Sequence, residues 1–276
     1  MELRYIARSE GNLLRFLRRE LGLSSGLVSR LKFRDAFLVN GAPVHTDFPV
    51  RPGDEIRVLL DEPVPDYPAE PGPLDILYED EAMIALDKPA GLIMHPTYNR
   101  TAGTLANRLL AYYRETGQAC AVHPVSRLDR DTFGVVLLAK NAHVHTLLNK
   151  TPKEKIYEAL VVGTPEPLRG VVDAPIARLS PTSLLRCVRA DGKPAVTEYE
   201  TLEAGEISRV RLWPKTGRTH QLRVHMAHLG CPILGDPQYG QAADVTQQLC
   251  ARTLRLPHPL TDEPLEFVSN QPLRRL

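Results

Sequence analysis

The spacing of hydrophobic residues near the N-terminus predicts two short helices. Three leucines recur at intervals of four residues, as on one face of a helix: Leu13, Leu17 and Leu21. Gly22 suits the end of that helix, and Ser24 or Ser25 can cap a second one. The apolar residues of the second helix are Leu27, Val28 and Leu31. Two short amphipathic helices are therefore expected in this region.

A small sheet is predicted directly after these helices. Phe37-Leu38-Val39 is an apolar strand that leads into Asn40-Gly41, the strongest short hairpin signal. Pro52-Gly53-Asp54 makes a turn into Ile56-Arg57-Val58, whose residues alternate as in a half-buried strand. Helices and strands together predict a compact N-terminal domain over residues 1–62.

A proline-rich segment follows this domain. Its five prolines are Pro63, Pro65, Pro68, Pro71 and Pro73. Because proline fixes φ and has no amide hydrogen, we expect an extended spacer here rather than a packed element. The predicted linker comprises residues 63–74, and a second domain comprises residues 75–276.

Strands and helices alternate in the second domain. Apolar or alternating runs predict strands at 84–86, 135–138, 156–162, 197–202 and 209–213. Helices are expected to begin near Thr104, Asn141 and Thr219, each of which can cap a helix N-terminus. This mixture predicts an α+β fold with a large sheet.

The composition is that of an ordinary globular protein. Of the 276 residues, 43% are hydrophobic and 24% are charged, which excludes wholesale disorder, collagen and coiled coil. No run of about 18 apolar residues occurs, so we expect no membrane span. The first residues lack the apolar stretch of a signal peptide, and the cytoplasm is the expected location.

Metal binding is not predicted. The four cysteines lie far apart and form no CxxC pair: Cys120, Cys187, Cys231 and Cys250. His220, His225 and His228 fall in one predicted helix with Asp236 nearby, but no HExxH pattern occurs and no cysteine completes a ligand set. We therefore expect reduced thiols, and packing or RNA contact for the histidines.

The charge distribution says more than the net charge of +1. Arginines far outnumber lysines, and guanidinium groups match phosphate geometry and stack on bases, although a GC-rich genome would also favour arginine. Arg30, Lys32 and Arg34 lie on the polar side of the second helix and beyond its end. They are typical either of an RNA-contacting surface or of a solvated helix face.

One loop concentrates groups that could carry chemistry. Arg127-Leu128-Asp129-Arg130-Asp131-Thr132 holds two carboxylates and two guanidiniums directly before a predicted buried strand. Loops at strand ends are common places for catalytic groups. From these residues alone, a catalytic loop and a surface salt-bridge loop are both possible.

Four ordered motifs resemble the RluA family of pseudouridine synthases. Residues 126–134, Ser-Arg-Leu-Asp-Arg-Asp-Thr-Phe-Gly, resemble its signature loop. Leu86-Asp87-Lys88-Pro89-Ala90-Gly91 with His95-Pro96 resembles its entry motif, and residues 155–163 resemble its strand with an active-site tyrosine. Residues 216–225, with Gly235-Asp236 and Tyr239-Gly240, are similar to its longest motif.

The N-terminal domain carries a second resemblance. Ser24 through Val39-Asn40-Gly41 to Val50-Arg51-Pro52-Gly53-Asp54-Glu55-Ile56 is similar to an S4 domain, a small RNA-binding fold. The two resemblances imply a pseudouridine synthase fold, with a large mixed and mainly antiparallel sheet flanked by helices and loops, preceded by a small S4-like domain.

The family resemblance implies a role for each matching residue. Asp129 would be the nucleophile, Arg223 its salt-bridge partner, and Tyr157 the active-site tyrosine. Arg127 would enter the RNA when the uridine leaves the stack. The expected substrate-binding residues are Arg127, Arg218, Gln221 and Lys155, and the expected RNA-binding residues are Arg30, Lys32 and Arg34. No cofactor is expected, because the reaction is an isomerisation without net redox change.

Two positions depart from the family pattern. Ser126 stands where the family often has histidine, and Phe133 stands where it usually has serine. Neither is the nucleophile, but Phe133 could reshape the pocket wall and thereby the choice of substrate.

The expected function is the isomerisation of specific uridines in RNA. Ribosomal RNA of the large subunit is the favoured substrate, because many family members with an S4-like domain modify it, and transfer RNA is the alternative. Two further alternatives are a non-catalytic RNA-binding protein and a hydrolase that uses Asp129 with Asp131. Residues two apart in an extended segment point to opposite faces, which disfavours that carboxylate pair. A monomer is the default expectation.

Overall fold

The computed structural model describes residues 1–60, 65–98, 100–240 and 244–275. The elements of the N-terminal part, in chain order, are β1 (Glu2–Ile6), β2 (Gly11–Asn12), α1 (Leu13–Arg19), α2 (Ser25–Leu31), β3 (Phe37–Val39), β4 (Ala42–Pro43), β5 (Pro49–Val50) and β6 (Glu55–Leu59). Both predicted helices are present, and Ser24 caps the second one by accepting a hydrogen bond from the Leu27 amide.

A four-stranded sheet of order β1-β6-β3-β4 forms the N-terminal part. The predicted hairpin joins β3 to β4 through Asn40 and Gly41, whose φ angles of 51° and 82° are those of a two-residue turn. The sheet and both helices bury one hydrophobic cluster, with Phe16, Phe37 and Ile56 at its centre. The structure does not test the S4 likeness itself, which stays a prediction.

The remaining elements build the larger part of the molecule. They are β7 (Ile76–Glu79), β8 (Met83–Lys88), α3 (Leu105–Glu115), β9 (His123–Pro124), β10 (Phe133–Ala139), α4 (Ala142–Lys150), β11 (Glu154–Val162), β12 (Arg169–Asp173), β13 (Ile176–Arg178), β14 (Arg186–Val188), β15 (Val196–Glu203), β16 (Ile207–Pro214), α5 (Gln221–His228), β17 (Leu249–Pro257) and β18 (Pro264–Val268). The expected helix at Thr219 thus begins two residues later, at Gln221.

One ten-stranded sheet runs through this part, in the order β12-β15-β16-β11-β17-β10-β8-β7, with β18 beside β17 and β9 beside β10. Among the named strands of this sheet, β10 and β17 pair in parallel and all other pairs are antiparallel. The sheet is therefore large, mixed and mainly antiparallel, as predicted.

Gly134 allows the parallel pairing of β10 with β17. Its φ is +107°, and a Cβ at this position would lie 2.4 Å from the backbone oxygen of Ala251. A side chain would therefore force the two strands apart, since neither the backbone angle nor the space tolerates one. The glycine is the second residue of β10, which directly follows the loop that contains Asp129, so this close approach fixes where that loop ends.

The proline-rich segment corrects one expectation. Residues 65–75 form no helix or strand, as expected, but they pack against α3 instead of forming a free spacer. Asn107 on α3 donates to the Pro68 carbonyl at 2.7 Å, and Arg108 donates to the Pro73 carbonyl at 3.1 Å. These side-chain donors satisfy backbone carbonyls of a segment that forms no regular secondary structure. The proposed boundary after residue 62, and Pro63, lie outside the described residues.

Candidate active site

The loop of residues 127–132 connects β9 to β10 and opens on a cavity of about 330 Å³. Leu128 anchors the loop, because its side chain is buried in the core cluster beside α3. Asp129 then projects into the cavity with 32% of its side chain exposed. The cavity is lined by Asp129, Arg130, Asp131, His220, Arg223, Pro237, Gln238 and Gln247.

Lys88 holds this loop from below the surface. Its ammonium group is buried and donates to the carbonyls of Pro89, Leu92 and Arg130 at 2.8–2.9 Å. Burial lowers the pKa of Lys88 to about 8, against the opposing charges of Asp131 and Asp129. The lysine of the entry motif therefore fixes the backbone on the C-terminal side of Asp129.

Arg223 joins the candidate nucleophile to the interior. Its Nη1 donates to Asp129 Oδ2 at 3.0 Å, so the salt bridge that the resemblance implied is present. Its Nε and Nη2 bind both oxygens of Asp236 at 2.7 and 2.8 Å, and Nη2 also donates to Gln238 Oε1. The guanidinium lies 4.9 Å from the centre of the Tyr239 ring. Every edge of Arg223 is thus engaged, which fixes the contact to Asp129.

Charge compensation keeps these buried groups ionised. Burial alone would lower the pKa of Arg223, but hydrogen bonds and charge from Asp236, together with Asp129, raise it above its ordinary value. Burial would raise the pKa of Asp236, yet Arg223 and the amides of Gln238 and Tyr239 hold it below its usual range. A permanent positive charge therefore faces Asp129.

Tyr157 lies in the middle of the sheet on β11, opposite Leu212 of β16 and Ala251 of β17. Its half-buried ring packs against the two core clusters on either side. Burial raises the pKa of its hydroxyl, and the nearby charge of Asp129 raises it further. The phenol is therefore protonated at neutral pH and lies close to the candidate nucleophile, although it is not among the described residues that line the cavity.

The other predicted substrate-binding residues lie in different settings. Arg127 is exposed at the start of the loop, and Lys155 is half-buried on the same face of β11 as Tyr157. Arg218 is partly exposed and donates to the Pro194 carbonyl. Gln221 is buried and makes four hydrogen bonds within the protein, to Thr216, Arg218, Val196 and Thr197.

The position of Asp131 differs from the prediction that Asp129 and Asp131 point to opposite faces. Asp131 lines the same cavity as Asp129, since this segment is irregular and does not alternate like a strand. Asp131 pairs with Arg130 at 2.8 Å, whereas Asp129 pairs with Arg223. The two carboxylates therefore have separate partners, which keeps their environments different.

The two departures from the family pattern lie in different environments. Phe133 is buried at the first position of β10, and the described lining residues do not include it. Ser126 accepts a hydrogen bond from the Leu137 amide at 3.3 Å. An effect of Phe133 on the shape of the pocket would therefore have to act from behind the lining residues, and it stays a prediction.

Several residues of the site have no role that the sequence predicts. Asp236 and Tyr239 belong to the longest motif, but their spacing does not indicate that they surround Arg223. Gln247 donates to Thr132 Oγ1 at 2.7 Å and thereby ties the loop to the segment before β17. Among the described residues, no group of three or more His, Cys, Asp or Glu could hold a metal ion.

A basic surface on the N-terminal part is the second candidate site. Arg30, Lys32 and Arg34 are all exposed at and beyond the C-terminal end of α2. Phe33 is 85% exposed between them, with the Lys32 ammonium 5.6 Å from its ring centre. An exposed aromatic ring among cations can contact both the bases and the phosphates of a nucleic acid.

The comparisons with known proteins agree with the geometry of the larger part. Residues 82–228 match the RNA pseudouridylate synthase family. The chain is 38% identical over 258 residues to the uncharacterized RNA pseudouridine synthase YjbO of Bacillus subtilis, which covers 90% of this chain and 91% of that protein. The chain belongs to the RNA pseudouridylate synthase family. It is therefore an isomerase that converts uridine to pseudouridine in RNA.

Two further relatives extend this result. The pseudouridine synthase is 38% identical over 237 residues to the ribosomal large subunit pseudouridine synthase D of Vibrio parahaemolyticus, covering 78% of this chain and 73% of the relative. A solved structure of human RNA pseudouridylate synthase domain containing 1 matches with a TM-score of 0.60 and 27% identity, over 74% of this chain and 86% of that one. The described residues of the synthase contain no helix long and apolar enough to cross a membrane.

Proposed function

We propose that this synthase isomerises specific uridines of large-subunit ribosomal RNA, with Asp129 as the nucleophile. The observation that carries the proposal is the contact of Asp129 with Arg223 at 3.0 Å inside a cavity open to solvent. The ribosomal substrate is supported by the relatives named ribosomal large subunit pseudouridine synthase D, from Vibrio parahaemolyticus and Haemophilus influenzae.

The reaction requires few groups. The bond from C1′ to uracil N1 breaks, the uracil turns, a bond forms from C1′ to C5, and the proton of C5 is released while N1 gains one. Asp129 acts at the sugar as a carboxylate, and the buried cation of Arg223 holds it in place through the hydrogen bond at 3.0 Å. Tyr157 provides a ring for stacking and a protonated hydroxyl that can donate to the turning base.

The remaining residues bind the RNA and help to take the target uridine out of the base stack. An enzyme that acts on a base must take it out of the stack, at a cost of a few kcal/mol. Arg127 is exposed two residues before Asp129 and is suited to fill the space that the uridine leaves. Lys155 and Arg218 supply positive charge for phosphates. Gln221, whose amide is fully bonded within the protein, acts by shaping the loop before α5.

The N-terminal domain, residues 1–62, acts in this proposal as an S4-like RNA-binding domain that is joined through the linker at 63–74 to the catalytic domain. The exposed basic surface around Phe33 would supply the phosphate contacts. A monomer and a cytoplasmic location also stay predictions.

Neutralising the basic surface should weaken RNA binding through its salt dependence. We expect the triple variant Arg30→Gln, Lys32→Gln, Arg34→Gln to lower affinity at low salt by at least about tenfold. The slope of log K against log salt concentration should fall by about 2 to 3, because three phosphate contacts are lost. Filter binding between 50 and 200 mM salt measures both quantities.

The matched control removes the same charge elsewhere. Arg114, Lys150 and Arg169 are exposed on the catalytic domain, and their triple glutamine variant has the same net charge. Equal salt slopes for the two triple variants would show that only net charge matters and would contradict a binding surface at α2.

Pseudouridine mapping tests the substrate. Carbodiimide adducts followed by primer extension should reveal, in large-subunit ribosomal RNA, a site that is lost on deletion of the gene and restored by the wild-type gene. The Asp129→Asn gene should not restore it. A site lost from transfer RNA instead would overturn the ribosomal assignment while leaving the reaction unchanged.

A further inference from the structure

His220 has an unusual backbone and a defined place in the site. It precedes α5 with a φ of +57°, a left-handed conformation that residues with a Cβ rarely adopt. Its ring lies between Tyr239 and Asp129 and lines the cavity. Its Nε2 is 3.9 Å from Asp129 Oδ2. The fold therefore holds this side chain in the cavity in spite of an unfavourable backbone.

The hydrogen bonds of Tyr239 favour one position for the proton of the His220 ring. The Arg186 amide donates to the Tyr239 hydroxyl oxygen at 2.8 Å. The hydroxyl hydrogen is then free for the His220 Nδ1, which lies 2.7 Å away. Nδ1 accepts this bond in the neutral ring, so the hydrogen is on Nε2, the nitrogen nearer to Asp129.

The charges around His220 favour its neutral form. Burial lowers the pKa of His220, and the positive charges of Arg223 and Arg186 act in the same direction, against Asp129 and Asp236. Burial also raises the pKa of Tyr239, which keeps its hydroxyl protonated as a donor. The tautomer inferred from the hydrogen bonds is thus the form present at neutral pH.

The distance between Nε2 and Asp129 leaves this donor available. At 3.9 Å the nitrogen is too far from the carboxylate oxygen for a direct hydrogen bond. We propose that His220 Nε2–H donates a hydrogen bond to an acceptor oxygen of the target nucleotide adjacent to C1′, either uracil O2 or the ribose 2′-hydroxyl. The proposal rests on the proposed role of Asp129 at the sugar.

Such a donor would have a defined effect on the reaction. When the C1′–N1 bond breaks, its electron pair goes to the uracil and spreads over N1 and O2. A fixed N–H directed at O2 stabilises that charge, and one directed at the 2′-oxygen fixes C1′ relative to Asp129. In either case His220 binds and positions the substrate, and Tyr239 orients His220.

Two variants of His220 separate the effect of its strained backbone from the effect of its N–H donor. His220→Gly relieves the left-handed backbone, so its thermal midpoint should equal or exceed that of wild type. Its single-turnover rate on a ribosomal RNA transcript should nevertheless fall about 100-fold, as on loss of one fixed donor. His220→Gln keeps an N–H near the position of Nε2 and should recover at least about tenfold of that loss. His228→Asn, at the exposed end of α5, is the matched control at wild-type rate.

Substrate analogues identify the acceptor. Transcripts with 2-thiouridine or 2′-deoxyuridine at the target are compared with uridine, and products are separated by liquid chromatography after nuclease digestion. The penalty of His220→Gly should disappear with the analogue that lacks the acceptor, since the two changes then remove the same bond. Disappearance with the thio analogue assigns O2, and disappearance with the deoxy analogue assigns the 2′-hydroxyl.

Three results would overturn the proposal. They are a His220→Gly rate within about twofold of wild type, a His220→Gln enzyme no faster than His220→Gly, and a penalty that is equal on all three substrates. Failure of the underlying assignment looks different, because an active Asp129→Asn enzyme in the same assay would reject Asp129 whatever the His220 variants do.

Discussion

The Asp129→Asn enzyme is expected to bind its RNA normally and to form no detectable pseudouridine. Asparagine has the same shape, and its side-chain oxygen can still accept the hydrogen bond from Arg223 Nη1. The fold and the RNA surface should therefore be unchanged. The amide cannot attack the sugar or stabilise positive charge there, and removal of a nucleophile typically costs about 10⁴-fold or more in rate. Single-turnover tritium release from 5-labelled uridine RNA measures the rate, and filter binding measures the affinity.

Asp131→Asn is the matched control for this experiment. It makes the same chemical change two residues away, in a carboxylate that lines the same cavity but pairs with Arg130. We expect less than about a tenfold loss of rate. Equal inactivity of the two variants would show that the carboxylates act as a pair, and a wild-type rate for Asp129→Asn would reject the nucleophile.

Local signals account for the parts of the fold that the sequence predicts well. Thr104 and Asn141 each accept a hydrogen bond from the first turn of the helix that follows, so both helix starts can be identified from single residues. The Asn40-Gly41 turn can likewise be identified from two adjacent residues, and Asn40 is further held by hydrogen bonds with Asp54 and Glu55. These elements form where the chain's own short-range chemistry favours them.

Long-range contacts explain the parts that were missed. Strand β17 was not predicted, and its parallel partner is β10, where Phe133 lies opposite Cys250. That pairing requires Gly134, and the need for glycine can be recognised only when the backbone of Ala251 is known to lie beside it. The prolines predict a free spacer, but the segment packs because side chains of α3, distant in sequence, donate hydrogen bonds to its carbonyls. Neither contact has a local signature.

The residues of the site also fall into those that the sequence identifies and those that only long-range contacts reveal. Asp129, Tyr157 and Arg223 were identified from motif resemblance, whereas their spacing in sequence gives no reason to bring Asp129 beside Arg223. The fold does so by placing the start of α5 against the loop before β10. Asp236 has no role predicted from the sequence, and His220 is expected only to pack or to contact RNA. Their importance comes from what surrounds them, a buried guanidinium and a hydroxyl donor.

Removing Arg223 should cost both stability and activity, for separate reasons. In the Arg223→Met enzyme the fully buried Asp236 carboxylate loses both guanidinium contacts and keeps only backbone amides. An uncompensated buried charge destabilises a fold by about 3–5 kcal/mol. Asp129 loses its cation in the same variant, so catalysis should fail even in the fraction that is folded.

The double variant Arg223→Met, Asp236→Asn separates these two losses. Asparagine keeps the oxygen that accepts from the Gln238 and Tyr239 amides but has no charge. Unfolding in guanidinium chloride should show most of the lost stability restored, whereas tritium release should stay absent because no cation faces Asp129. A double variant as unstable as the single one would attribute the loss to packing, and an active one would reject Arg223 as the partner of Asp129.

The pH dependence gives an independent test of the same charge. In wild type the pKa of Asp236 is held below its ordinary value of 3.8, so its stabilising effect is present above that value and is lost as the pH falls through the folded-state pKa. Without Arg223, burial raises that pKa, and protonation of Asp236 relieves the penalty as the pH falls. The stability difference between wild type and Arg223→Met should therefore be largest at neutral pH and shrink towards pH 4. A difference that is constant over this range would contradict a charge origin, because loss of packing alone has no such pH dependence.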